Sequence, residues 1–556
     1  MDADDDCITL DVLIAALEQP RPQKLFFQCA TPRLTPCLRN DEVFRLVSAV
    51  MGSDLVSDLK ISDGTLFMND QDARVRSDGQ TLELVLTVNM PHAVASLVCR
   101  SLRHNTSLAS LNLFGIDTDE ADAAALAAAL AENCALRSLV LVVEGDKAML
   151  ALAAALAGNS TLHTLDIGMA HSTYVGLLAL CDAVGANRGL KTLSLYRFEV
   201  MEDGGRAVGA ALARNTCLEK LELCDCFLSE AGVAALASGL ARNSRLLRFC
   251  LSGADLNDTA LDVLANALAQ HPRLQLVSLV GCNVDDGMAG AFLRGLAGSS
   301  GPTALDRAGE GPASSTAAAT AASAALPGAA CLVELDLSEN AIGDAGAATI
   351  GKMLEHNGTL QRLVLAKNQV GAAGARALGQ GLARNRSLVH LDLDNNNGIG
   401  TAGVRDLCTS LSQNTTLASL HVLPSAPGNA AAYAAPAVAA AAIAELLRCN
   451  TSMTSMPYAE KLRTEGKAFA ALLASNALFH SAAAGHAHPA VARPLASLWI
   501  VLTAIRTGGG SARARTDSPV LPSNVNDLIF SLSRAVCPEV VSRIRERWVG
   551  GRALEA

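Results

Sequence analysis

Two short stretches carry side chains of reactive type close together. Cys224-Asp225-Cys226 places two thiols around a carboxylate, a set that could serve dithiol redox chemistry, and GHAHP places His486 and His488 near His480, a set that could hold a metal. Each has a plainer explanation. The two histidines are flanked by alanines and have no nearby cysteine or carboxylate to complete a ligand set, which reads as an exposed loop. The two cysteines alternate at the exit of a strand, where only one of them falls on a recurring structural position. No H-E-x-x-H, G-x-S-x-G, paired C-x-x-C or G-x-x-x-x-G-K-[ST] motif occurs, so neither a hydrolase, a metallopeptidase nor a nucleotide-binding module is expected, and no cofactor or metal site.

The carboxylates are more informative because they repeat, and their repetition belongs to the elements that hold them. Asn105, Asn133, Asn159, Asn187, Asn215, Asn243 and His271 follow one another at 28 residues, with one interval of 26. Asn357, Asn385 and Asn414 resume the spacing at 28 and 29. From each the pattern N-x-x-L-x-x-L-x-L runs on, as in Leu108/Leu111/Leu113, Leu190/Leu193/Leu195, Leu218/Leu221/Leu223 and Leu388/Leu391/Leu393. L-x-L has the period of a strand, so its leucines face one way and the residue between them the other. The segment that follows, such as AGVAALASGLARN, sets Val233, Leu236 and Leu240 on one face of a helix. One strand and one helix cannot bury these faces alone. Stacked on their neighbours, they close a core between an inner parallel sheet and an outer layer of helices.

Three residues beyond the last leucine stand Asn340, Asn368 and Asn396, or Cys226 and Cys282, where a side chain can satisfy the turn backbone of the adjacent unit. Gly204, Gly232, Gly346, Gly374 and Gly403 recur where each helix begins and permit close approach of backbones. This unit resembles the ribonuclease-inhibitor-like class of leucine-rich repeats, and LDLSENAIGDAGA is similar to repeats of NOD-like receptors and of bacterial effectors. The resemblance implies an α/β leucine-rich repeat solenoid, a horseshoe of about 12 repeats of 28 residues with a parallel inner sheet and outer helices. It also implies an inner face that binds a protein, in an innate-immune-type regulator or a bacterial effector. The missing phosphate loop excludes a complete receptor of the NOD-like type.

The repeat divides the chain into an N-terminal cap with irregular repeats (1–104), regular repeats (105–298), an Ala/Ser/Gly-rich insertion expected to be flexible (299–329), further repeats (330–456) and a helical cap or tail (457–556). Early strands are expected near Leu59 and Leu84. In the tail, Leu521, Pro522, Ile529, Leu532 and Trp548 are similar to the opening of an F-box, which would make the chain a substrate-recognition adaptor of a ubiquitin ligase.

A formal charge of -10 argues against nucleic acid, and the absence of an apolar run of about 18 residues argues against a membrane span. Fifteen scattered cysteines read as free thiols, and the acidic opening MDADDDC lacks the basic start of a secretory signal, so a cytoplasmic setting is expected. The N-x-S/T triplets at Asn105, Asn159, Asn357, Asn385 and Asn414 follow from the repeat and are poor glycosylation candidates. No small-molecule substrate is implied.

A protein partner should therefore meet the side of the sheet away from the core. Between the strand leucines lie Asp166, Ser194, Glu222, Ser278, Asp336, Val364 and Asp392. Just past them come Tyr196, Asp225, Ser338 and Asp394. The candidate binding residues are Asp166, Tyr196, Glu222, Asp225, Asp336, Asp392 and Asp394. Their acidic character points to a partner with a basic patch, and Tyr196 is the expected aromatic anchor. Phe198, at the recurring turn position, reads as buried packing.

Overall fold

In the computed structural model, the described residues are 7–8, 10–18, 33–34, 40–53, 56–63, 72–77, 82–88, 91–118, 120–170, 174–296, 331–423, 442–443, 446–447, 450 and 452–456. They fall in two compact units, Met1–Asn340 and Ala341–Ala556.

In the first unit the regular strands are β6 (Ser110–Thr118), β7 (Ser138–Glu144), β8 (Thr164–Ala170), β9 (Thr192–Tyr196), β10 (Lys220–Cys224), β11 (Arg248–Ser252), β12 (Leu276–Val280) and β13 (Glu334–Asp336). They pair in parallel, each with the next. Register follows the period: Leu193 meets Leu221, and Leu221 meets Phe249. A helix follows each of β6 to β12, such as Glu230–Arg242 after β10. The second unit repeats the scheme with β14 (Arg362–Val364), β15 (His390–Asp392) and β16 (Ser419–His421), and with helices Asp344–His356, Ala372–Arg384 and Gly400–Leu411. Strand–helix alternation along a parallel sheet is the expected α/β leucine-rich repeat solenoid. The strand leucines and the helix positions Val233, Leu236 and Leu240 are all buried, so the core lies between the sheet and the helices.

The start of the first unit departs from simple succession. Strands form near Leu59 and Leu84 as expected: β3 (Val56–Asp63) and β5 (Leu82–Val88). However, β3 lies between β5 and β6, so the order along the sheet reverses here. The cause is β4 (Asp72–Ser77), which pairs antiparallel with β5 along its whole length. A short connection favours an antiparallel partner, whereas parallel pairing needs a long crossover. The resulting antiparallel pair lies on the outer side of β3 and shields the first regular repeats from becoming an open sheet edge.

The asparagine that precedes most of the strands ties one repeat to the next. Its side chain works in both directions, as Asn385 shows. The Oδ1 accepts the N–H groups of Ser387 and Leu388 at 3.0 and 2.7 Å, which turns the chain from helix to strand. The Nδ2 donates to the carbonyls of Leu354 and Asn357 in the preceding repeat at 2.7 and 2.9 Å. The same pattern holds at Asn133, Asn187 and Asn215. Asn105, Asn159, Asn385 and Asn414 are buried in this role, which leaves no room for a glycan at these four side chains.

A second ladder runs through the turn after the strand. Asn340 accepts from the N–H groups of Cys282 and Val284 at 3.0 and 2.9 Å and donates to Leu279 O at 2.7 Å. Asn396 accepts from the N–H of Val370 and donates to Leu365 O. Cys226 and Cys282 occupy this position as buried thiols donating to Leu195 O and Leu251 O at 3.5 and 3.4 Å. Just before each rung the backbone turns through the left-handed region, at Arg197, Asp225, Gly253, Gly281 and Glu339 in the first unit and at Lys367 and Asn395 in the second.

Glycine permits the helices to approach as expected at Gly232, where a Cβ would run into the carbonyl oxygen of Met201. A second close approach, not read from the sequence, lies two turns further on: a Cβ on Gly239 would meet the carbonyl of Gly209. Gly239→Ala should therefore lower stability by about 1–3 kcal/mol through forced separation of two helices. Thermal unfolding followed by circular dichroism tests this, and an unchanged midpoint would refute it.

His271 replaces asparagine on the first ladder. Burial pushes its pKa down from the ordinary value of 6.5 to about 4. Between those values the unfolded chain binds the proton and the folded chain does not, so this residue's contribution to stability is lost as pH falls through that range. His271→Asn should remove that sensitivity. The difference in unfolding midpoint between wild type and variant should widen as pH drops from 6.5 towards 4, and a difference constant with pH would rule it out.

Candidate functional site

From β8 to β12 each strand presents three positions on the face away from the helices, β13 adds two, and the register aligns them in rows. The middle row runs Asp166, Ser194, Glu222, Cys250, Ser278 and Asp336. Below it lie Thr164, Thr192, Lys220, Arg248, Leu276 and Glu334. Above it, Gly168, Tyr196, Cys224, Ser252 and Val280 follow in register. In the second unit, Val364, Asp392 and His421 form the middle row.

The first-unit face is more internally satisfied than its composition suggests. Ser194 is buried, and its Oγ donates to Glu222 Oε2 at 2.8 Å. Lys220 Nζ pairs with Glu222 Oε1 at 2.8 Å, so this carboxylate already has a cation. The Asp166 carboxyl is raised above its ordinary range by burial, partly offset by the Ser194 hydroxyl, and its buried Oδ1 makes no hydrogen bond. Burial also raises the Tyr196 phenol. Asp336 turns inward on its own strand exit, with its Oδ1 accepting from Ser338 N–H and Oγ–H at 2.9 and 2.6 Å.

Of the candidate residues, Asp166, Glu222 and Asp336 share one row, and Tyr196 stands on the row above. Asp225 does not. Cys224 is the register partner of Tyr196, and Asp225 is the exposed left-handed turn residue one position on. Ser194 and Val364, expected to face the partner, are buried. Phe198 is buried, as expected of its turn position. In the second unit, Asp392 and Asp394 are partly exposed and adjacent, and burial raises the Asp394 carboxyl while the Leu423 N–H opposes the shift.

Two features were missed. Phe227 is 67% exposed, beside Met201 at 55%, whose N–H donates to Phe227 O. The signal was present: at this phase the neighbouring repeats carry Glu199, Asp255 and Asn283, so an aromatic there is out of place in a solvated turn. The other is His421, which lies in register with Asp392 and has its Nδ1 3.7 Å from Asp394 Oδ2. His480, His486 and His488, the F-box-like positions Leu521, Pro522, Ile529, Leu532 and Trp548, and the whole of the insertion 299–329 lie outside the described residues. Among the described residues, no helix is long and apolar enough to cross a membrane.

The thiols are arranged for structure. Burial pushes Cys226 up to about 11 and Cys181, Cys282 and Cys408 up to about 12, which suppresses the thiolate needed for redox or nucleophilic work. Cys134 and Cys331 are exposed. Alkylation of the native chain at mildly alkaline pH, read by peptide mass spectrometry, should label Cys134 and Cys331 well before Cys181, Cys226, Cys282 and Cys408. Equal labelling in the folded state would contradict the arrangement.

Three stretches of the chain, residues 329–351, 356–379 and 384–408, match the family model described as Leucine Rich repeat. No curated protein matches the chain. Among solved structures it is similar to a chain in the crystal structure of the Rad7 and Elc1 complex in yeast, with 16% identity, 59% of this chain and 72% of that one covered, and a TM-score of 0.38. It is also similar to leiomodin-1 actin-binding site 2, with 16% identity, 33% and 88% covered, and a TM-score of 0.23.

Proposed function

We propose that this chain is a non-enzymatic scaffold of the ribonuclease-inhibitor-like type, whose sheet face captures a protein partner bearing a basic patch. The observation that carries the reading is the row itself: strand register sets Asp166, Glu222 and Asp336 at the same height on the open side of the first unit's sheet. A row of partly exposed carboxylates, interrupted by Ser194, Cys250 and Ser278, offers several weak contacts spread over many strands, which suits a broad protein surface better than a small substrate. Charges of this kind steer encounter and fix orientation more than they hold the complex. Affinity then needs apolar anchors. Tyr196 supplies one on the row above, and Phe227 supplies a more exposed one at the turn edge. Glu222 contributes less than its charge suggests, because Lys220 already neutralises it.

The two units are tested separately. Asp336→Lys alters the first, and the pair Asp392→Lys and Asp394→Lys alters the second. With a partner isolated on the intact chain, at least one of these variants should lose affinity by roughly tenfold or more at low ionic strength, with the difference shrinking in high salt. Glu202→Lys, on the helix side, serves as control. Equal capture by both variants and the control would move binding off the sheet face. Phe227→Ala should weaken the same complex with little dependence on salt, as expected of an apolar contact.

A further inference from the structure

We propose that Asp392, Asp394 and His421 form a binding site for a divalent transition cation, zinc above all, on the last strands of the second unit. The strand register assembles it. β15 and β16 run parallel with Asp392 opposite His421, so a carboxylate and an imidazole stand side by side across one strand spacing. The alternate residues Leu391 and Leu420 are fully buried, which leaves these two side chains on the open face. Asp394 lies two residues beyond Asp392, past buried Leu393, and returns to that face.

Each carboxylate is anchored through one oxygen. Asp392 Oδ1 accepts the N–H of Asp394 at 2.9 Å, and Asp394 Oδ1 accepts the N–H of Leu423 at 2.6 Å. The second oxygen of each remains for a ligand. Donor atoms from the three residues all lie within 4.8 Å of one another. Asp394 Oδ2 and His421 Nδ1 are 3.7 Å apart, longer than a good hydrogen bond. Two ligands of one tetrahedral zinc ion, bound at the usual lengths, would stand about 3.3 Å apart. Among the described residues, no lysine or arginine forms an ion pair with either aspartate.

A separate observation points to the same place. His390, two residues before Asp392, shares its side of the strand, and its ring centre lies 5.1 Å from that of His421. Its Nε2 is buried and makes no hydrogen bond. A buried polar atom without a partner is uncommon in a folded protein and calls for a cause. An ion at the three donors, keeping a bound water in its open position, would supply a partner to that nitrogen. Two carboxylates with an imidazole suit zinc and its first-row neighbours, whereas calcium takes six to eight oxygens.

The full-length chain, stripped with a chelator, is titrated with zinc chloride by calorimetry and with cobalt(II) by absorption spectroscopy. Wild type should bind one equivalent that Asp394→Asn and His421→Ala each weaken at least about tenfold. Calcium in excess should not displace it. The cobalt spectrum of that equivalent should lack thiolate charge transfer, which separates it from cysteine sites elsewhere in the chain. Zinc should also raise the unfolding midpoint of wild type more than that of His421→Ala, a readout that stands even if Asp394→Asn folds poorly. Zinc uptake with the same stoichiometry and affinity in wild type and His421→Ala, or no uptake at all, would overturn the proposal.

Discussion

The structure depends on one side chain used repeatedly: an asparagine amide that joins each repeat to the one before it. A helix ends with carbonyls that have no partner inside it, and a stack of helices would bury those carbonyls against one another. The asparagine solves both ends at once. Its oxygen draws the chain out of the helix into the next strand, and its nitrogen satisfies carbonyls one repeat back. Leucine burial supplies most of the favourable free energy, but burial is indifferent to register. The amide is directional, and it sets the pitch at which the leucines meet.

That pitch decides what the open face can be. Because equivalent residues come into register strand after strand, any chemistry on the face is written as rows, one side chain per repeat. A row of like charges would repel along its length. The first unit avoids this by interleaving Ser194 and Cys250 with the carboxylates and by setting Lys220 against Glu222. Two carboxylates at the end of one strand, Asp392 on it and Asp394 in the turn just past it, have no such relief among the described residues except the imidazole of His421.

Much of the fold was legible because its signal is periodic. The leucine spacing, the asparagine phase and the buried face of the helices all follow from period counting, and each is found where the count puts it. The reversal of β3 and β5 was hidden because it depends on β4, a polar strand with no leucine phase to mark it. At the site, the middle row was readable from alternation alone, but side-chain partnerships were not. Ser194 is buried because Glu222 sits beside it, twenty-eight residues on. Asp225 was placed with Tyr196, yet one period on from Tyr196 stands Cys224; Asp225 corresponds to Arg197, and both are left-handed turn residues beyond the strand. His421 was overlooked because nothing in its own repeat marks it; its significance comes from Asp392 on the neighbouring strand.

The second ladder is uneven in a way that bears on mechanics. An asparagine rung both accepts and donates, as Asn340 does, while the thiols of Cys226 and Cys282 only donate, over longer distances to carbonyl oxygen. The first unit therefore contains joints of unequal strength along a single spine. Pulled from its ends, such a spine would part first at the apolar rungs Phe198 and Ala254, whose side chains make no hydrogen bond at all, ahead of the thiol rungs, and the repeats on either side would come away as intact blocks.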